Sequence, residues 1–154
     1  MSFSRKAALA LTGIAALAMP LAVAGSASAS TDARCTVTPL KPVLDHLNSS
    51  GEKVIKYETK VTCSAGRSIE ILDERRDHDN LSTDDFEGSN TYNLRFDSTE
   101  TVTKYVLAVL PDADGWGDDN EEMYHSVGFQ VTEDNGYVSQ WTNWEDSAIV
   151  TFHL

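Results

Sequence analysis

The feature that most constrains the fold is a two-residue alternation in the segment KVIKYETKVTC, which runs from Lys53 to Cys63. Apolar or small side chains occupy every second position from Ile55 onward, and charged or polar side chains occupy most positions between them. Successive side chains of a β-strand point to opposite faces, whereas those of a helix repeat every 3.6 residues. The segment therefore predicts a strand with one buried face and one solvent face.

Six further segments have a similar character, and turn-forming residues separate them. None of the segments after residue 29 shows a convincing helical period. The pattern predicts an all-β protein folded as a two-sheet antiparallel sandwich of about seven strands. The six segments are residues 35–37, 68–72, 92–96, 101–110, 123–131 and 148–152.

Three details make this prediction specific. Residues 105–110 are apolar at every position, which suits a central strand covered on both faces. Residues 73–89 are so rich in charge that we expect a long connection there. The sequence Glu133-Asp134-Asn135-Gly136 predicts a tight hairpin, because Asn-Gly tolerates positive φ at both turn positions.

The first 29 residues resemble an export signal in composition. Arg5 and Lys6 supply positive charge, residues 7–24 are mostly apolar, and Ala27-Ser28-Ala29 matches the small-x-small cleavage pattern. We expect residues 1–29 to be removed as a signal peptide and residues 30–154 to form the single domain of a secreted protein. The alternative is a retained membrane anchor, since the apolar run is nearly long enough to span a bilayer.

Residues 30–154 carry a large excess of negative charge. With Arg5 and Lys6 set aside, ten basic and 24 acidic side chains remain, a net charge of −14. Nucleic acid and anionic membranes require cationic surfaces, so neither is an expected partner. A basic protein or a divalent cation is compatible with this charge, and so is plain solubility. We expect a monomer.

Cys35 and Cys63 are the two cysteines of the chain. An even number of cysteines in an exported chain predicts a disulfide bond. This bond closes a loop of about 29 residues, and the chain-entropy model gives it a stabilising effect of about 3.6 kcal/mol.

The segment FQVTEDNGYVSQWTNWEDSAIVTF resembles the last two strands of a fibronectin type III or related immunoglobulin-like domain. In such domains a turn precedes a Trp-Ser-x-Trp-Ser-like element, which here reads Trp141-Thr142-Asn143-Trp144-Glu145. The whole chain also resembles small exported proteins of unknown function from high-GC Gram-positive bacteria. The resemblance implies an immunoglobulin-like sandwich. Cytokine-receptor domains stack arginines between these tryptophans, and residues 123–132 contain none, so receptor function is not implied.

The stretch PDADGWGDDNEE, residues 111–122, is the candidate metal site. Calcium takes six to eight oxygen ligands, and glycines let the backbone fold around the ion. An EF-hand does not fit, because Met123 occupies the position of the bidentate glutamate. If the strands alternate in direction, this stretch and residues 73–89 lie at one end of the sandwich, near His46. A solvated acidic loop is the alternative. The candidate calcium ligands are Asp112, Asp114, Asp118, Asp119 and Glu121.

Exposed aromatic and acidic side chains are the candidate partner-binding residues. Aromatic rings combine a large contact area with polar edges. We expect one of the three tryptophans to fill the core. Trp141 and Trp144 would face opposite sides of a regular strand, so we expect one of them to pack and the other to cap the sheet edge. The candidates are Trp116, Trp141, Trp144, Asp84 and Asp85.

Catalysis is not expected from this sequence. It contains no Gly-x-Ser-x-Gly nucleophile motif and no set of zinc ligands at recognisable spacing. His125 and His153 lie on predicted strands, where we expect packed or surface side chains. The prediction is a secreted, non-enzymatic binding module without a cofactor. The alternatives are a calcium-binding acidic module and a small inhibitor or antagonist of a basic secreted protein.

Overall fold

The computed structural model describes residues 29–79, 83–111 and 120–153. Regular structure in these ranges is β-strand throughout, arranged in two antiparallel five-stranded sheets. The predicted all-β, two-sheet sandwich is confirmed. In chain order the strands are β1 (Ser30–Asp32), β2 (Cys35–Pro39), β3 (Val43–Leu47), β4 (Lys53–Cys63), β5 (Arg67–Asp77), β6 (Asp85–Phe96), β7 (Glu100–Val109), β8 (Asn120–Glu133), β9 (Glu145–Asp146) and β10 (Val150–His153).

The seven predicted segments correspond to β2, β4, β5, β6, β7, β8 and β10. The three additional strands, β1, β3 and β9, have between two and five residues each. β1 and β9, with three and two residues, are too short to show a period, and β3 contains a bulge between Leu44 and His46 that interrupts its alternation. Their pairing partners, rather than their own sequences, determine that they are strands.

Sheet A is built around β4. β7 pairs along one edge of β4, while β3 and β2 share the other edge, and β1 continues the sheet beyond β2. The prediction of a central strand at residues 105–110 was wrong. Among the described strands β7 pairs only with β4, and the outer face of β7 is exposed. An apolar run does not by itself reveal whether both of its faces are covered.

Sheet B has the order β10-β8-β5-β6, and β9 also pairs with β8. β5 continues to Asp77 and β6 begins at Asp85, so the long connection predicted at residues 73–89 was wrong. Only residues 78–84 connect the two strands. The charge that suggested a loop belongs partly to Asp73 and Asp77, which are buried between the sheets.

The core lies between the two sheets and is held at one end by the predicted disulfide. Cys35 and Cys63 are Cα partners on β2 and β4, and both are fully buried in the bonded pair. Val127, Phe129 and Val131 fill the facing side from β8, as the alternation in that segment predicted.

The turn after β8 sends the chain back along the same strand. Gly136 has a φ of 84°, as predicted, whereas Asn135 does not have positive φ. The N–H of Gly136 donates to the carbonyl of Glu133, and the N–H of Glu133 donates to the carbonyl of Tyr137. This is a three-residue hairpin loop with glycine in the left-handed position.

Candidate functional site

The outer edge of β8 is closed by an irregular segment, residues 137–149, rather than by a full strand. Three hydroxyl residues of this segment each bond twice to one β8 residue. The N–H of the hydroxyl residue donates to the β8 carbonyl, and its side-chain oxygen accepts the β8 N–H, at 2.8–3.1 Å. Each hydroxyl residue thus satisfies both the N–H and the carbonyl of one β8 residue, as a paired strand residue would. The pairs are Ser139 with Val131, Thr142 with Phe129, and Ser147 with His125.

The two described tryptophans belong to this segment and lie outside β9. Trp141 and Trp144 are 47% and 48% exposed. Trp144 lies beside Gly128, so that a β-carbon on this glycine would meet the indole at 3.6 Å. Neither is in the core, so the prediction that one of these two packs was wrong. The prediction that one of the three tryptophans fills the core now concerns Trp116, which lies outside the described residues. Among the described residues, the tyrosine and phenylalanine side chains that are fully buried are Tyr57, Phe96 and Phe129.

Trp141 lines a groove of about 440 Å³ between β1 and the segment that closes β8. The groove joins the two sheets along one side of the sandwich, and its residues come from the beginning and the end of the described chain. This long sequence separation explains why no local motif revealed the site. The lining residues are Ser30, Thr31, Asp32, Tyr137, Ser139, Gln140, Trp141, Thr142, Asn143 and Glu145.

The chemistry of this groove combines aromatic surface with negative charge. Tyr137 and Trp141 are both about half exposed and offer ring faces to a ligand. Asp32 and Glu145 add two carboxylates, and neither forms an ion pair with any of the described residues. The lining contains no lysine or arginine. Aromatic faces beside carboxylates favour a cationic ligand.

The sequence predicted that residues 73–89 and 111–122 lie at one end of the sandwich, called the acidic end below, and the described strands agree in part. Asp77 of β5 lies opposite Met123 of β8, and Val54 lies opposite Val109. The strand ends that flank the β5–β6 and β7–β8 connections therefore lie at the same end of the sandwich as the β3–β4 turn, as predicted. Asp112, Asp114, Trp116, Asp118 and Asp119 lie outside the described residues. Glu121 is on β8 and fully buried.

Asp84 is already engaged within the protein. Its carboxylate accepts a hydrogen bond from the Tyr124 hydroxyl and contacts His78 Nδ1 at 3.1 Å. The bond from Tyr124 is the main cause that lowers the pKa of Asp84 below its ordinary value. Asp85 is exposed at the start of β6, opposite Asp77. Of these two candidates, only Asp85 offers an exposed side chain to a partner.

A polar cluster that sequence reasoning missed lies between the sheets. Asp73 of β5 accepts bonds from Thr59 of β4 and faces His125 Nδ1 of β8, both at 2.8 Å. The other imidazole nitrogen faces the carbonyl of Leu40 at 2.8 Å. His125 and Asp73 are fully buried. The cluster links sheet A to sheet B, so the prediction of a packed His125 fits its position.

Arg75 lies next to this cluster, with its guanidinium 6.0 Å from the centre of the Tyr57 ring. Gly88 on β6 has a φ of 131°, and a β-carbon there would come within 2.4 Å of Arg75 Nη2. Arg75, Asn90 and Tyr92 carry enclosed donor atoms that have no hydrogen-bond partner among the described residues. Burial and the charge of Asp73 raise the pKa of Tyr92 to about 12, against the opposing charge of Arg75.

The described ranges were compared with what a metal-binding cluster and a membrane-spanning helix require. Among residues 29–79, 83–111 and 120–153, no three His, Cys, Asp or Glu side chains are placed to hold a metal ion. The same part of the chain contains no helix that is long and apolar enough to cross a membrane.

Comparison with known proteins does not identify a family. No family model matches the chain, and no curated protein matches it. Among solved structures the chain is similar to one described as the X-ray structure of Northeast Structural Genomics Consortium target SoR45. The two share 12% sequence identity with a TM-score of 0.37, over 80% of this chain and 87% of that chain.

Proposed function

We propose that the protein is a secreted, non-enzymatic binding module that takes a cationic segment of a partner protein into the groove between β1 and residues 137–145. The observation that carries this proposal is the pairing of Tyr137 and Trp141 with Asp32 and Glu145 in a lining without basic residues. The export signal and the immunoglobulin-like character inferred from the sequence belong to the same proposal. Binding of this kind would suit an inhibitor or antagonist of a basic secreted protein.

The absence of catalysis in this proposal has a physical basis at His125. A general base needs a free nitrogen lone pair within reach of its substrate. Both nitrogens of His125 face acceptors, Asp73 and the Leu40 carbonyl, and the side chain is fully buried. The buried pair therefore supports a structural role rather than hydrolytic chemistry.

The groove is tested by calorimetric titration with an oligolysine peptide, with oligoglutamate as the control ligand. We expect oligolysine alone to bind, and its affinity to fall with salt because exposed charges are screened. Trp141→Ala should weaken binding about tenfold, which corresponds to about 1.4 kcal/mol. Trp144→Ala is the matched control, since Trp144 is equally exposed but does not line the groove. Equal losses in both variants would argue against the groove.

Calcium binding is a second candidate function, because the β5–β6 and β7–β8 connections are acidic in sequence and leave from strand ends at the same end of the sandwich. A specific site would stabilise the native state in CaCl₂ more than in NaCl of matched ionic strength. Asp112→Asn combined with Asp114→Asn should remove that difference. Equal stabilisation by the two salts would leave only a solvated acidic surface.

A further inference from the structure

The free edge of β7 presents an ordered row of backbone hydrogen-bonding groups. The N–H of Leu110 donates to the carbonyl of Lys53, which fixes the phase of the β4–β7 ladder. In an antiparallel pair, alternate residues direct both backbone groups to the same side. The even-numbered residues of β7 therefore bond to β4. The free edge belongs to Thr101, Thr103, Tyr105, Leu107 and Val109.

The side chains of the same five residues form the outer face of β7. Tyr105, Leu107 and Val109 are 59%, 42% and 48% exposed, and Val43 of β3 lies exposed on the same face. A long strand edge with exposed apolar side chains is a template for pairing with another strand. Within the described ranges, nothing pairs with this edge.

Charge singles out this part of the molecule as well. The five lysines after residue 30 all lie in sheet A or in its connections, namely Lys41, Lys53, Lys56, Lys60 and Lys104. β7 itself carries one lysine and one glutamate, Lys104 and Glu100, and so has no net charge, in a chain region whose net charge is −14. Two copies of this acidic protein would repel each other least if they met along β7.

We propose that the protein forms a twofold dimer in which β7 pairs antiparallel with β7 of a second copy, with the axis passing beside Tyr105. This register places Thr103 opposite Leu107 of the second copy and Thr101 opposite Val109 of the second copy. All five residues with free backbone groups then form hydrogen-bonded pairs with the second copy, and Tyr105 lies opposite Tyr105 of that copy. The two acidic ends point in opposite directions, because the paired strands are antiparallel.

The half-buried Lys104 is compatible with this register. Its side chain is on the inner face of β7, and an inward-pointing charge on an edge strand generally discourages indiscriminate pairing. In the proposed dimer Lys104 lies opposite Val106 of the second copy, so that no like charges meet. The proposed dimer departs from the monomer expected from the sequence, and the open edge of β7 is the reason for the change. β1 and β7 are on opposite edges of sheet A, so the groove beside β1 stays open in each copy of the dimer.

The test is a charge swap on the twofold axis, followed by sedimentation equilibrium of the purified protein. The wild type should dimerise with increasing concentration, and dimerisation should strengthen as salt screens the net charge. Tyr105→Lys and Tyr105→Glu should each weaken association at least tenfold, because each places like charges opposite one another. An equimolar mixture of the two variants should restore association to near the wild-type value.

The matched control is Leu47→Lys, which changes an equally exposed residue on β3, away from the β7 edge, and should leave association unchanged. Leu107→Glu, off the axis, gives a second disruptive variant if Tyr105→Lys does not fold. A wild type that remains monomeric at high concentration would overturn the proposal. Unimpaired association of the Tyr105 variants would also overturn it, and a mixture that fails to restore association would overturn the register.

Discussion

Strands β7 and β8 differ in what covers their outer edges. Ser139, Thr142 and Ser147 bond to the outer edge of β8, and β9 and β10 pair with it. No described residue pairs with the outer edge of β7. At the closed edge of β8, side chains such as Trp141 are available to contact a ligand. At the open edge of β7, the backbone N–H and C=O groups themselves are available to bond to another strand. The first suits recognition of a cationic segment, and the second suits pairing with another strand.

The largest difference between the two strands in the free-energy cost of a substitution is expected at His125 of β8. His125→Ala would leave the carboxylate of Asp73 buried without the imidazole that bonds to it, at a cost of about 3 to 5 kcal/mol. Tyr105→Thr on β7 should change the free energy of unfolding by no more than about 0.5 kcal/mol, because its side chain is exposed. Urea unfolding at low protein concentration measures both. Similar costs would contradict the claim that His125 stabilises the fold far more than Tyr105 does.

The hydroxyl contacts of the closed edge give the next largest effect. Ser139→Ala and Thr142→Val remove the acceptors of the Val131 and Phe129 N–H groups, which should cost about 1 to 3 kcal/mol each. Thr103→Val makes the same chemical change on the open edge of β7, where the hydroxyl has no described partner, and should cost almost nothing. If Thr142→Val were as harmless as Thr103→Val, the hydroxyls would not be closing the edge.

The period of the strands explains how much of this comparison was predictable. Alternation identified the inner face of β4 and β8. The even number of cysteines, in a chain expected to be exported, predicted the Cys35–Cys63 bond. Alternation reports which residues share a face, but it does not report what lies beyond a strand. Residues 105–110 were therefore assigned a central position, although β7 has an open edge.

Polarity was misleading where an acidic side chain bonds to polar side chains inside the protein. Asp73 looked like a loop residue, yet Thr59 and His125 satisfy its carboxylate between the sheets. These partners are distant in sequence, so no local pattern connects them. The groove was hidden for the same reason, because Asp32 and Trp141 come together only through the pairing of β1 with β2 and the return of the chain along β8. Trp141 was predicted as a binding residue from its chemistry, and its partners were not.

A smaller effect is expected at Gly136, the turn that returns the chain along β8. No atom lies within 4 Å of a β-carbon at this position, so packing does not oppose a larger residue. The φ of 84° alone does, and Gly136→Val should cost about 1 to 2 kcal/mol. Gly136→Asn is the matched control, because asparagine tolerates the left-handed region. A neutral valine variant would mean that the turn readily changes its shape.

The smallest and most pH-dependent effect distinguishes two tyrosines on the outer faces of the two sheets. Tyr124 of β8 donates to Asp84, whereas Tyr105 of β7 is exposed. Tyr124→Phe should cost about 1 kcal/mol near neutral pH, at the low end for a bond to a charged group because Asp84 is partly exposed. Tyr105→Phe should cost nothing at any pH.

The pH dependence follows from the lowered pKa of Asp84, whose first cause is the bond from Tyr124. A carboxyl with a lower pKa in the folded state binds protons more tightly when unfolded, so it stabilises the native state at pH values above its unfolded pKa. That stabilisation is lost as the pH falls through the folded pKa. The cost of Tyr124→Phe should therefore be complete at pH 7 and shrink in acid, as measured by urea unfolding at a series of pH values. His78 remains in both proteins and cancels from the difference. A cost that stays constant with pH would show that the Tyr124 hydroxyl acts through a partner other than the Asp84 carboxylate.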